Sequence, residues 1–158
     1  MIKEVEGNLL TYPGIQVIAH QCNCLGIMGA GIAKQIKEKN PEMFKRYVRY
    51  CQYHDNNHQL LGMVHFVLSD DEKQVIANMF GQYSFASEGK PATDYDALKE
   101  CFRRLHTWMV LNERTTVGVP DHIGCGLAGG DWETVKRMLY YEFEDDDEIT
   151  LYIVKYNG

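Results

Sequence analysis

The chain has little positive charge: 16 Lys and Arg stand against 22 Asp and Glu, a formal net charge of -6. Proteins that track a nucleic-acid backbone need clustered cations to displace counterions, so that mode is disfavoured. A single nucleotide held by backbone N–H groups is still compatible with this charge. No apolar run reaches the roughly 18 residues that a membrane helix needs. The opening residues, M-I-K-E-V-E-G-N, hold no apolar signal core. The five cysteines are odd in number and scattered through apolar contexts, which fits free thiols without a disulfide partner in a reducing compartment. A soluble cytoplasmic protein with no membrane contact is therefore expected. The sequence also lacks G-K-[ST], which removes a Walker P-loop, and its first glycine-rich loop lacks the G-x-G-x-x-G spacing directly after its strand, which leaves hydride transfer and kinase chemistry little support. No internal repeat or low-complexity linker divides it. At 158 residues with 45% hydrophobic composition, residues 1–158 are expected to form one domain around one well-buried core.

What is present is organised around residues 20–33, H-Q-C-N-C-L-G-I-M-G-A-G-I-A. An apolar, β-rich run over residues 15–19 leads in, and an amphipathic segment with Ile32, Ala33 and Ile36 at helical spacing leads out. The order is strand, glycine-rich loop, helix. Gly26, Gly29 and Gly31 remove side chains that would keep a ligand from the main chain, and a helix start adds unpaired N–H groups. Such a turn suits an anion or sugar phosphate; a merely tight turn is the alternative.

A second loop of the same kind, residues 123–130 (I-G-C-G-L-A-G-G), follows a short strand at 116–120 and precedes a helix with Asp131 as N-cap. Further strands are expected at 2–5, 63–68, 74–79 and 149–154. Helices are expected after Asn40 and Pro41, with Met43, Phe44, Tyr47, Val48 and Cys51 buried, and after Thr93 or Asp94, with Leu98, Cys101, Phe102, Leu105, Trp108 and Met109 as one stripe. Residues 54–58, H-D-N-N-H, read as a solvated loop rather than a zinc pair, residues 80–93 as a flexible loop near a site, and residues 142–148 as a solvated acidic connection. Alternating strands and helices give a three-layer α/β/α sandwich with a mixed central sheet. Two glycine loops at one edge of such a sheet would flank a ligand crevice.

In that order these motifs resemble the macro domain, an ADP-ribose-binding module, over nearly the whole chain. Gly7, Asn8 and Leu9 resemble the turn whose acid takes the adenine amino group, here with an amide in place of the acid. The run from His20 to Asn23 sits where many members have Asn-Ala-Ala-Asn, which implies Asn23 beside the distal ribose. Gly29, Ala30, Gly31 and Ile32 match the glycine triplet by the same sugar. His122, Ile123, Gly124, Cys125, Gly126, Leu127 and Ala128 match the second loop, whose N–H groups wrap the pyrophosphate. The resemblance implies ADP-ribose or ADP-ribose 1″-phosphate as ligand, with ADP-ribosylated macromolecules as further partners, and neither cofactor nor metal.

Three positions depart from hydrolytic members of that family: Ala33 and Ala128 stand where subgroups carry an aspartate, and residues 76–81 lack a catalytic lysine. The subgroup similar to ADP-ribose 1″-phosphate phosphatases carries a strand-end H-x-C-N-C-x-G like residues 20–26. His20 is then either a base or acid beside the distal ribose or a buried strand histidine. Asp131 either assists at the rim or only caps its helix. Cys22 and Cys24 are expected to be packing residues. Two functions follow: a hydrolase of ADP-ribose derivatives, or a non-catalytic ADP-ribose reader.

Overall fold

The computed structural model describes residues 1–54, 57–86 and 90–157. Among these, the strands are β1 (Ile2–Gly7), β2 (Val17–Cys22), β3 (Val64–Leu68), β4 (Val75–Phe80), β5 (Thr116–Pro120) and β6 (Thr150–Tyr156). The helices are α1 (Gly31–Lys39), α2 (Pro41–Tyr53), α3 (Tyr95–Leu111) and α4 (Trp132–Phe143), with a short 3-10 turn at Asn57–Leu60. The strands form one sheet in the order β1-β6-β5-β2-β4-β3. Every pairing is parallel except β3 with β4.

The central strands are buried on both faces, which is why V-I-A and V-I-A-N-M-F read as apolar without alternation. One face of the sheet, with Val17, Ala19, Ala77 and Met79, packs on Leu98, Phe102 and Leu105 of α3 and Val135 and Leu139 of α4. The other, with Ile18, Cys22, Ile76 and Phe80, packs on Ile36 of α1 and Met43 and Tyr47 of α2. These are the three layers and mixed sheet expected from the sequence. The helix signals act where they were read. Pro41 opens α2, and Asp70 from the β3–β4 turn accepts from the N–H groups of Glu42 and Met43, both at 2.9 Å. Asp94 caps α3 by accepting from Ala97 N–H at 3.0 Å.

One boundary matters for function. β2 starts at Val17 and runs to Cys22, three residues further than the strand expected over 15–19. Gln16 is spent on crossing contacts: its Oε1 accepts from the N–H of Thr115 at 2.7 Å and of Thr116 at 3.2 Å. The register then pairs His20 with Asn78 and carries both into the interior. α4 likewise reaches Phe143, so the acidic connection begins inside the helix. Among the described residues, no helix is long and apolar enough to cross a membrane. Asp55 and Asn56 of the H-D-N-N-H stretch, and residues 87–89 of the loop expected over 80–93, lie outside the described residues.

Candidate functional site

β5, β2 and β4 are neighbours, and the chain moves outward from β2 in both directions, so the loops after their C-terminal ends stand side by side. Between them opens a cleft of about 750 Å³. The first glycine loop brings Asn23, Gly29, Ala30, Gly31 and Ile32 to its wall. The second brings His122, Ile123, Gly124, Gly126, Leu127 and Ala128. The loop after β4 adds Gln82, Phe85 and Ala86.

The cleft's distinctive property is its array of free backbone donors. α1 has no side-chain cap at Ala30, and its first bond back to the loop is Lys34 N–H to Ala30 O at 3.2 Å. The N–H groups of Gly31, Ile32 and Ala33 therefore have no partner among the described residues. Across the cleft, the second loop closes on itself through Cys125 N–H to His122 O at 2.8 Å and Gly130 N–H to Gly124 O at 2.9 Å. Gly124, Gly126, Leu127 and Ala128 are left, among the described residues, with unpaired N–H groups on the lining. No Lys or Arg side chain lines the cleft among the described residues. Such a site holds an anion by directed dipoles rather than by side-chain charge.

The glycines divide into those that shape the loop and those that keep the cleft clear. Gly124 sits at φ +75°, and a Cβ there would meet Gln21 Oε1 at 2.9 Å. A Cβ on Gly126 would meet nothing within 4 Å, so that position faces open space. Gln21 is the tie between the three loops: its Nε2 donates to Gln82 Oε1 at 2.8 Å and to Thr93 Oγ1 at 3.0 Å. Thr93 Oγ1 in turn donates to Gly124 O at 2.6 Å. Gln21 Oε1 is buried and has no partner among the described residues.

Asn23 lies on the lining but spends its amide on its own loop. Its Oδ1 accepts from Leu25 N–H at 3.0 Å and Ile27 N–H at 3.3 Å, and its Nδ2 donates to Ile27 O at 2.7 Å. Tyr47 Oη donates to Asn23 O at 2.6 Å and locks the turn to α2. Asn23 therefore shapes the loop whose N–H groups the ligand would meet.

Five positions expected at the site are not brought to the cleft. His20 is sealed in the strand: it is fully buried, off the lining, and its Nε2–H donates to Asn78 Oδ1 at 2.6 Å. Loss of hydration pushes its pKa down to about 4, the Asn78 bond opposing this only in part. The structure thus places His20 as the buried strand histidine of the two alternatives, away from the cleft lining. Asn8 Oδ1 accepts from Leu10 N–H at 2.9 Å within its own turn, and Leu9 is buried beside it. Neither lines the cleft. Cys125 turns away, its Sγ donating to Ile123 O at 3.3 Å, and burial pushes its thiol up to about 11. Burial likewise raises the Cys22 thiol well above its usual range and so disfavours the thiolate, although Cys22 touches the lining.

Asp131 is off the lining and does the capping work. Its carboxylate accepts from Thr134 Oγ1 at 2.7 Å and Thr134 N–H at 3.1 Å, and these bonds hold its pKa below the usual carboxylate value. Asp131→Ala should cost about 1 kcal/mol of stability, read as a lower urea midpoint. Turnover per folded molecule should stay at the parent value, and a loss of turnover with an unchanged midpoint would return Asp131 to the chemistry.

Among the described residues, no group of His, Cys, Asp and Glu is placed to hold a metal ion. His54 donates to Tyr50 O at 2.8 Å and His58 stacks on Tyr83 at 3.6 Å, so the two histidines of H-D-N-N-H have separate engagements.

Comparison with known proteins agrees with this geometry. The macro domain family model matches residues 19–139, and the chain belongs to that family. The ADP-ribose 1″-phosphate phosphatase of Meyerozyma guilliermondii is 35% identical over 157 residues, covering 85% of this chain and 90% of the relative. The DNA ADP-ribosyl glycohydrolase of Mycobacterium tuberculosis is 28% identical over 158 residues, and the chain spans 43% of its length. A solved protein of unknown function from Bacteroides thetaiotaomicron superposes with a TM-score of 0.83 at 28% identity, covering 98% of both chains.

Proposed function

We propose that the chain binds ADP-ribose or ADP-ribose 1″-phosphate in the cleft and acts as a hydrolase of ADP-ribose derivatives, phosphatase-like in its reaction. The observation that carries this reading is the two-sided array of free N–H groups, from Gly31 to Ala33 on one wall and from Gly124 to Ala128 on the other. A diphosphate satisfies both walls at once. The phosphatase relatives, which match along most of their length, support the hydrolytic class. Free thiols at all five cysteines support placing the protein in the reducing cytoplasm.

A non-catalytic reader is the second reading. It is favoured by the burial of His20 off the cleft lining, away from where proton transfer to a bound ligand would occur. Phosphate release separates the two. Purified protein given ADP-ribose 1″-phosphate should release inorganic phosphate and leave ADP-ribose, at a rate that Gly126→Val abolishes. Tight binding of the same compound without release would establish the reader.

A further inference from the structure

We propose that His122, clamped between Asp121 and Trp132 at the mouth of the cleft, is the group that answers the negative charge of a phosphorylated ligand, taking up a proton as the ligand binds. This rests on the reading of the cleft as an ADP-ribose site.

Two contacts and the backbone conformation fix the ring. Its backbone stands at φ +60°, a left-handed conformation that is uncommon for a side chain other than Gly, Asn or Asp. The imidazole stacks on Trp132 at 4.9 Å between centroids and 20° between planes. Its Nδ1–H donates to Asp121 Oδ2 at 2.8 Å. These contacts leave Nε2 with no hydrogen bond among the described residues, on a side chain that is 57% exposed and belongs to the lining.

Beyond the backbone dipoles, the imidazole is the one lining side chain among the described residues that can offer a phosphate a cation. Asp121 also lines the cleft, so a diphosphate would enter beside a carboxylate with no Lys or Arg among the described lining residues to offset either charge. The free N–H groups supply partial charges only. Nearby α4 adds further negative charge, with Asp131 at its N-cap and Glu133 in its first turn. An imidazole accepts a proton at its free ring nitrogen and then has two N–H donors. Protonation at Nε2 gives an imidazolium that pairs with Asp121, lies on the Trp132 face and presents an N–H to phosphate oxygen. Ligand and proton therefore bind with positive coupling.

Calorimetric titration with ADP-ribose at pH 7, run in PIPES and in imidazole, tests this directly. ADP-ribose is chosen because its diphosphate has no group titrating near neutrality, whereas the 1″-phosphate does. The heat should differ between buffers by the amount that uptake of a fraction of a proton requires. His122→Asn keeps a residue that tolerates the left-handed backbone and should remove the difference. Affinity of the parent should rise about fivefold from pH 8 to pH 6, and that of the variant should stay flat. Binding with no buffer dependence in the parent overturns the proposal, as does dependence that persists in His122→Asn. Absence of any ADP-ribose binding would overturn the reading of the cleft, and the proposal with it.

Discussion

Gly126→Val should lower ADP-ribose affinity by about 100-fold or more while the protein remains folded, because the new side chain fills ligand space instead of protein space. The added Cβ meets no protein atom within 4 Å, and Gly126 is not one of the glycines with positive φ, so the backbone accepts valine. The branches would stand before the unpaired N–H groups of Gly126 and Leu127 and hold phosphate oxygens beyond hydrogen-bonding distance. Gly130→Ala is the informative contrast: its Cβ would lie 2.6 Å from Gly124 O, so there the loop itself must shift. Equal urea midpoints for Gly126→Val and parent, with binding lost only in the variant, are the expected pair of results. A variant that titrates like the parent would show that the second loop does not hold the diphosphate.

The second large effect is on stability against acid. His20 is depressed to about 4 by burial, below the roughly 6.5 of an unfolded chain. Between those values the unfolded state holds the extra proton, so stability rises with pH across the window and is lost as pH falls through it. The loss from pH 7.5 to 4.5 attributable to His20 is on the order of 2 kcal/mol. His65, also near 4 and within 3.4 Å of Asn78 Nδ2, adds to the same limb. Urea midpoints at the two pH values should therefore differ strongly in the parent and less in His20→Leu. That variant is weaker at pH 7.5, since Asn78 Oδ1 loses its donor, but its folded fraction should bind ADP-ribose within about tenfold of the parent. A pH-independent midpoint in the parent would mean that His20 is not a sealed neutral ring.

His20 also shows where the sequence stops being informative. Apolar composition marked β2 correctly, but the strand's end depended on pairing with β4, more than fifty residues away, and the pairing takes His20 past the expected edge. A histidine at a strand end and one inside a strand read alike until Asn78 is seen opposite. Asn8 lies off the lining for a different reason: a side chain that can accept from a ligand can also accept from Leu10 N–H two residues on, and it does so here. The glycine loops were legible because strand, glycine and helix signals are local, and most of the lining follows from them. Gln82, Phe85 and Ala86 come from a stretch with no periodicity, and Gln21 sits in a strand whose ties to Thr93 and Gly124 are purely tertiary. The Asp121 and Trp132 clamp on His122 could not be read from residue type, since neither contact follows from spacing alone.

The central claim is that ADP-ribose occupies this cleft through backbone donors on both walls. Titrating isotope-labelled protein with ADP-ribose and following each amide by nuclear magnetic resonance tests it most directly. The account predicts that the largest shifts cluster at Gly31 to Ala33 and Gly124 to Ala128, saturating together at one ligand per chain. Shifts confined to one loop, centred elsewhere such as the Arg46, Arg49 and Tyr53 face of α2, or absent altogether would contradict it.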